Sequence, residues 1–226
     1  MGDFDGRRIL ITGASRGIGR SIKVCLEEKG ATVIAPFRNE MDLSSVESVE
    51  KYLADEDLTR VDCFVHCAGI NRLAGISSID NQILESVFQV NVFSAISILK
   101  KISQGMRERR YGRIVLISSL YALVSRESRI AYSTSKNALT GLAKTLTLEL
   151  APYNVLTNCV APGYVMTNMT RQSLSEEDIR RIESMIPTGR FQEEKEIADL
   201  VAFLCSDLNN SITGQIIAID GGFLCN

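Results

Sequence analysis

Tyr132 and Lys136 stand four residues apart in Ala131-Tyr132-Ser133-Thr134-Ser135-Lys136, a segment that reads as helix. At that spacing a phenol and an amine share one helical face. A neighbouring ammonium favours phenolate over phenol, so Lys136 is expected to draw the Tyr132 pKa down from about 10 towards the range of a general acid or base. Upstream, Ser119 follows the apolar run Arg113-Ile114-Val115-Leu116-Ile117-Ser118, which reads as a buried parallel strand. Its hydroxyl then falls at a carboxyl end, where open α/β sheets bind their ligands. Asn91 interrupts the apolar stretch Val87-Phe88-Gln89-Val90-Asn91-Val92-Phe93, within a long helical segment from about 80 to 110. An amide on such a face must find partners, and it reads equally as a structural hydrogen-bonder or as the anchor of a proton relay. Tyr-x-x-x-Lys also occurs on solvated helix surfaces, so the surrounding elements carry the decision.

The first of those elements is the short apolar strand Arg8-Ile9-Leu10-Ile11-Thr12. It runs into Gly13-Ala14-Ser15-Arg16-Gly17-Ile18-Gly19 and then an amphipathic helix to about Lys29. Strand, glycine turn and helix in that order suit a dinucleotide: Gly13 for the tight turn, Gly17 for close approach of backbone to a pyrophosphate, Gly19 for helix–strand packing. The spacing is G-x-x-x-G-x-G rather than the commoner G-x-G-x-x-G. A second strand, Gly30-Ala31-Thr32-Val33-Ile34-Ala35, leads to Pro36-Phe37-Arg38, where an acidic residue would select NAD. Arg38 and Arg16 instead suit a 2′-phosphate, which predicts NADP(H) ahead of NAD(H). Ser44-Ser45-Val46-Glu47 reads as a capping box opening a helix to about Leu53. Further strands are expected over Val61–His66 and Val155–Val160, and at Ile216–Ile219. A polar, interrupted stretch at about 164–190, with a short helix near 175–185, suits a mobile lid over a substrate.

At 226 residues the chain supports one domain, 1–226, with no repeat, linker or low-complexity tract. Lys and Arg number 25 against 27 Asp and Glu, without a basic stripe, so nucleic acid is excluded as a partner. No apolar run approaches the roughly 20 residues of a membrane span. The amino terminus lacks an apolar signal core, and Met1-Gly2-Asp3-Phe4-Asp5-Gly6 does not fit an acylation signal, which predicts a cytoplasmic address. The six cysteines show no disulfide or Cys-x-x-Cys pattern and read as reduced core residues. Cys63, His66 and Cys67 miss the usual zinc spacing, so no metal is expected.

Assembled, these residues resemble the short-chain dehydrogenase/reductase family over essentially the full length. Thr12 to Gly19 is similar to the family's TGxxxGIG cofactor loop, and Asn91, Ser119, Tyr132 and Lys136 fall at the order and spacing of its catalytic tetrad. Pro162-Gly163 with Val165 and Thr167 resembles its nicotinamide-side loop, Asp42-Leu43 its adenine-contacting pair, and Ala68-Gly69 the end of its Asn-Asn-Ala-Gly motif. The resemblance implies a Rossmann-like fold and hydride transfer between nicotinamide and a carbonyl or alcohol carbon. Tyr132 would then be the proton donor, Ser119 the carbonyl binder, Lys136 the ribose ligand and Asn91 the anchor of a water relay. Within the family the chain is most similar to 3-oxoacyl-[acyl-carrier-protein] reductases, through Arg109-Arg110-Tyr111-Gly112-Arg113, Ile186-Pro187-Thr188-Gly189-Arg190-Phe191, Glu196-Ile197-Ala198 and Ile212-Thr213-Gly214-Gln215 through Asp220-Gly221-Gly222. That implies a 3-oxoacyl thioester substrate, acyl-carrier protein as a candidate partner, and a homotetramer formed through the two long helices and the last helix and strand. The alternatives are a sugar or secondary-alcohol dehydrogenase and a non-catalytic NADP sensor.

Three departures stand out. His66-Cys67-Ala68-Gly69 replaces Asn-Asn-Ala-Gly. Too few residues separate Ala35 from Asp42 for the family's next helix and strand, which predicts a doubly wound parallel sheet of six strands whose second strand is an edge, with an open adenine side. Tyr153 stands where carrier-docking members tend to be basic, while Arg110 remains.

Overall fold

A computed structural model describes residues 3–225, apart from the side chains of Met169 and Ser173. Met1-Gly2, read above as no acylation signal, lies outside the described residues. Six strands form one sheet: β1 (Arg8–Thr12), β2 (Thr32–Ile34), β3 (Cys63–His66), β4 (Gly112–Ile117), β5 (Val155–Pro162) and β6 (Ile216–Ile219). Their order is β2-β1-β3-β4-β5-β6, and every neighbouring pair is parallel. The six-stranded sheet with β2 at its edge is therefore as the short spacing after Ala35 required. A parallel crossover takes a dozen or more residues. Residues 35–45 and α2 (Val46–Asp55) make the single crossover from β2 to β3.

Alternation along the strands sends side chains to opposite faces, and both faces are covered. Ile9, Ile11, Val65, Val115 and Val160 pack against α1 (Gly17–Glu28) and α8 (Glu194–Cys205). Leu10, Phe64, Ile114, Leu116 and Cys159 pack against α2, α4 (Ser94–Arg109) and α5 (Ile130–Leu150). This double covering is why the strands read as near-continuous apolar runs.

Two local expectations are corrected. Ser45, not Ser44, caps α2, its hydroxyl accepting from the Ser48 backbone N–H at 3.1 Å, so the Ser44–Glu47 box does not form. The helical segment expected as one piece from about 80 to 110 is α3 (Asn81–Phe88), a π turn over Gln89–Phe93 and α4. This Asn81–Arg109 stretch has mean hydropathy and length enough to span a membrane, which the apolar-run count above did not register. Here Val87, Ile98, Leu99, Ile102 and Met106 are buried in the domain, as in a core helix. The stretch near 175–185 holds α7 (Glu176–Glu183), preceded by an additional helix, α6 (Asn168–Ser173). Ile182, Ile186 and Phe191 make a small core of their own there, with Tyr164, Met166 and Phe223 against it.

Candidate active site

Ser119, Tyr132, Lys136 and Asn91 come together beyond the carboxyl ends of β3 and β4, with the glycine turn following β1 and the 162–167 loop following β5. Ser118 and Ser119 follow β4, and Ser118 Oγ donates to the Lys136 carbonyl at 2.8 Å, fastening α5 to the strand end. Lys136 is 3 % exposed, and its Nζ donates to the Ile117 carbonyl at 2.7 Å. Nζ lies 5.8 Å from the centre of the Tyr132 ring. Ser119 Oγ accepts from the Tyr121 backbone N–H at 3.2 Å, and its hydroxyl bonds the Tyr132 phenol.

The electrostatics correct one expectation. The Tyr132 pKa is raised, not lowered: burial dominates, against the Ser119 hydroxyl and the Arg129 charge, which pull it down. Lys136 is held at the Ile117 carbonyl, and its own burial brings its pKa down to about 8. Loss of solvation penalises both charged forms, so spacing along a helix was the weaker influence here.

Asn91 is fully buried in the π turn. Its Oδ1 accepts from the Ile70 N–H at 2.8 Å, and its Nδ2 donates to the Ile70 carbonyl at 3.1 Å and to Ser135 Oγ at 2.9 Å. The side-chain amide is thus committed to protein partners, joining the loop after β3 to α5. A π turn within a helix frequently marks a functional position.

The glycine turn forms a cradle. Gly13 has φ +73° and lies so close to β3's extension that a Cβ would meet the Ala68 Cα and N at 2.7 Å. Gly17 has φ +58°, and a Cβ on Gly19 would collide with the Gly13 carbonyl. Ser15 and Arg16 are exposed, Ile18 is half-buried, and α1 begins with no side-chain cap and no acid in its first turn. Uncapped N–H groups at an exposed helix start fit a phosphate. Across the turn, Arg38 is 82 % exposed and pairs with Asp42 at 3.2 Å. Asp42 also accepts from the Ser44 N–H at 2.9 Å and Ser44 Oγ at 2.7 Å, and these bonds, ahead of Arg38, hold its carboxyl below the usual range. Leu43 is turned into the core. Arg16 makes no side-chain hydrogen bond or ion pair among the described residues.

On the opposite side, Pro162 ends β5, and a Cβ on Gly163 would meet the Asp220 Cα at 2.7 Å. Val165 is buried and bridges to Gln192, while Thr167 caps α6, accepting from the Thr170 N–H at 3.1 Å. Gly69 completes the floor: a Cβ there would meet Lys136 Nζ at 3.1 Å.

Several residues here had no sequence motif. The Tyr121 ring sits 6.5 Å from that of Tyr132, and its hydroxyl is 3.2 Å from that of Tyr164. The half-buried Arg129 lies over the Tyr121 ring at 5.2 Å, with no carboxylate partner among the described residues. Its position immediately before α5, three residues ahead of Tyr132, was the one signal available.

The family model described as "Enoyl-(Acyl carrier protein) reductase" matches residues 35–224. A 3-oxoacyl-[acyl-carrier-protein] reductase of Aquifex aeolicus is 37% identical, covering 97% of this chain and 98% of that protein. That alignment runs over 248 positions, more than the 226 residues of this chain, as a shortened member requires. An L-xylulose reductase of Mesocricetus auratus is 34% identical, with 97% of each chain covered. Among solved structures, a gluconate 5-dehydrogenase from Burkholderia cenocepacia J2315, in complex with NADP and tartrate, superposes with a TM-score of 0.91 at 27% identity, covering 99% of this chain and 97% of that one. With the glycine turn, the tetrad and the sheet order in place, the chain belongs to the short-chain dehydrogenase/reductase family, the NAD(P)-dependent oxidoreductases.

Proposed function

We propose that this protein reduces a carbonyl group with NADPH, and that a 3-oxoacyl thioester is its substrate. The observation that carries the reading is the gathering of Tyr132, Ser119 and buried Lys136 at the carboxyl ends of the sheet, beside an exposed glycine turn with an uncapped helix start. Residues 13–19, Arg38, Asp42, Ala68-Gly69 and the 162–167 loop would hold NADPH, which when bound would supply the hydride for the carbonyl carbon. Tyr132 Oη gives its proton to the carbonyl oxygen, and a phenol kept protonated by burial is in the right state for that donation. Ser119, whose hydroxyl also bonds the Tyr132 phenol, would hold the same oxygen. Lys136, anchored on the Ile117 carbonyl, would present its remaining protons to the cofactor ribose, and Asn91 braces α5 through Ser135. The 164–190 segment closes over the substrate and excludes water. The cytoplasmic address and a homotetramer belong to this proposal.

Acyl-carrier protein is the lesser part of it. Tyr153 is stacked by Arg107, 4.5 Å from its ring, and Arg110 donates to the Pro152 carbonyl at 3.0 Å. Both cations are thus already engaged by the protein. One observation favours a second reading, a dehydrogenase of hydroxy acids: Arg129, over the Tyr121 ring and with no carboxylate partner among the described residues, suits a substrate carboxylate.

The test follows absorbance loss of NADPH and of NADH with an acetoacetyl thioester and a panel of oxo acids and keto sugars, beside Tyr132→Phe. The proposal expects preferential NADPH consumption with the thioester. Turnover confined to oxo acids transfers the assignment to the second reading. NADPH binding without turnover on any carbonyl would leave a nucleotide sensor.

A further inference from the structure

His66, the one histidine in the sequence, ends β3 with no exposed surface, and both of its ring nitrogens are engaged. Nε2 lies 3.2 Å from the Asn91 carbonyl oxygen and Nδ1 lies 2.9 Å from Thr12 Oγ1. A carbonyl only accepts, so Nε2 carries the hydrogen, and Nδ1 accepts from the Thr12 hydroxyl. Thr12 Oγ1 in turn accepts from the Ala68 N–H at 3.4 Å. Burial, with the Lys136 charge nearby, lowers the imidazole pKa to about 3, so the ring is neutral.

The two ends of this chain of hydrogen bonds belong to different parts of the site. Thr12 precedes Gly13, where the glycine turn lies on Ala68. Beyond Asn91 the connection continues through its amide to Ser135 Oγ at 2.9 Å, and from Ser135 Oγ to the Tyr132 carbonyl at 2.8 Å. His66 is therefore the link between the strand end that carries the cofactor turn and the helix turn that carries Tyr132. The two groups it joins come from β1 and the π turn, while His66 itself ends β3, and no local segment could bring the three together.

We propose that His66 is a positioning residue: its imidazole, fixed in the Nε2–H tautomer, holds the Asn91 backbone at a set distance from the cofactor turn. An asparagine at this position presents an acceptor for Thr12 but is too short to reach Asn91. A glutamine reaches Asn91 with a donor amide. The kinetic part of the test rests on the reductase reading, and the spectroscopic part does not.

Nitrogen-15 NMR of histidine-labelled protein gives one imidazole to observe. A single Nε2–H tautomer, no titration between about pH 5 and 8, and a shift of the ring signals on adding NADPH are expected. In steady-state kinetics, His66→Asn lowers kcat about 10- to 100-fold, since a displacement of the order of 1 Å suffices for that, while the NADPH Kd changes little. His66→Gln recovers most of the lost kcat. An Nδ1–H tautomer, a ring that titrates near its ordinary pKa, or ring signals indifferent to NADPH would overturn the proposal. So would a His66→Asn protein with wild-type kcat and only a lowered Tm. If the wild type reduces no carbonyl at all, the reductase reading fails, and the NMR outcomes still judge His66. They also judge it if neither variant folds.

Discussion

The two ends of the proposed cofactor site are built differently. Around Tyr132 the polar groups are buried and committed: Lys136 to Ile117, Asn91 to Ile70 and Ser135, His66 to Thr12 and Asn91. Around Arg38 the groups are exposed, and the ion pair to Asp42 lies beside the edge strand β2, with Phe37 64 % exposed next to it. A buried polar network has one low-energy arrangement because any unmade bond there is costly. An exposed cation is screened and can re-pair at little cost. On the proposed reading the chemistry is thus placed by the core, whereas cofactor discrimination is left to the surface, on the side where the chain has dispensed with a strand and a helix.

The comparison makes predictions that descend in size from the buried end to the exposed one. Tyr132→Phe should lower kcat by roughly 10²- to 10⁴-fold, the usual range for loss of a general acid, with NADPH binding by fluorescence retained. Survival of substantial turnover would remove the Tyr132 phenol from the mechanism. Lys136→Met should lower kcat by at least about tenfold and alter the pH dependence of stability. The Lys136 pKa is about 8 when folded, against an ordinary 10.5. Below pH 8 the folded protein carries the full penalty of a buried ammonium. Between these values the unfolded chain binds the extra proton, so stability from Lys136 rises with pH. Thermal melts from pH 8 to 10 should therefore shift in favour of the wild type relative to Lys136→Met, and parallel curves would show that the ammonium is not desolvated. Arg38→Ala should change the NADPH-to-NADH preference by about tenfold or less, and Tm hardly at all, since an exposed ion pair contributes about 0–1 kcal/mol. A large Tm loss would contradict the contrast between the two ends.

Much of this was legible along the chain. The strands and their order of motifs follow from short apolar runs, each followed by a glycine or polar turn, and the positive φ of Gly13 fits the tight turn read there. The tetrad residues were recognisable, and they come together. The π turn at Asn91 was not, because its helical neighbours on both sides carry ordinary amphipathic patterns. Ser45 rather than Ser44 as cap was a choice between adjacent residues of equal propensity. Tyr121 and Tyr164 meet across 43 residues and left no local signal.

The amino-acid sequence by itself determined the absence of the extra strand, because residues 35–45 are too few to build a helix and a strand whatever surrounds them. It also determined the face shared by Tyr132 and Lys136, because the helical repeat is local. Tertiary structure alone decided the direction of the Tyr132 pKa, the pairing of Arg38 with Asp42 and the bridge of His66 from Thr12 to Asn91. The physical reason is that desolvation and hydrogen bonding depend on which groups close around a side chain. For His66 those groups come from positions 54 residues before it and 25 after it.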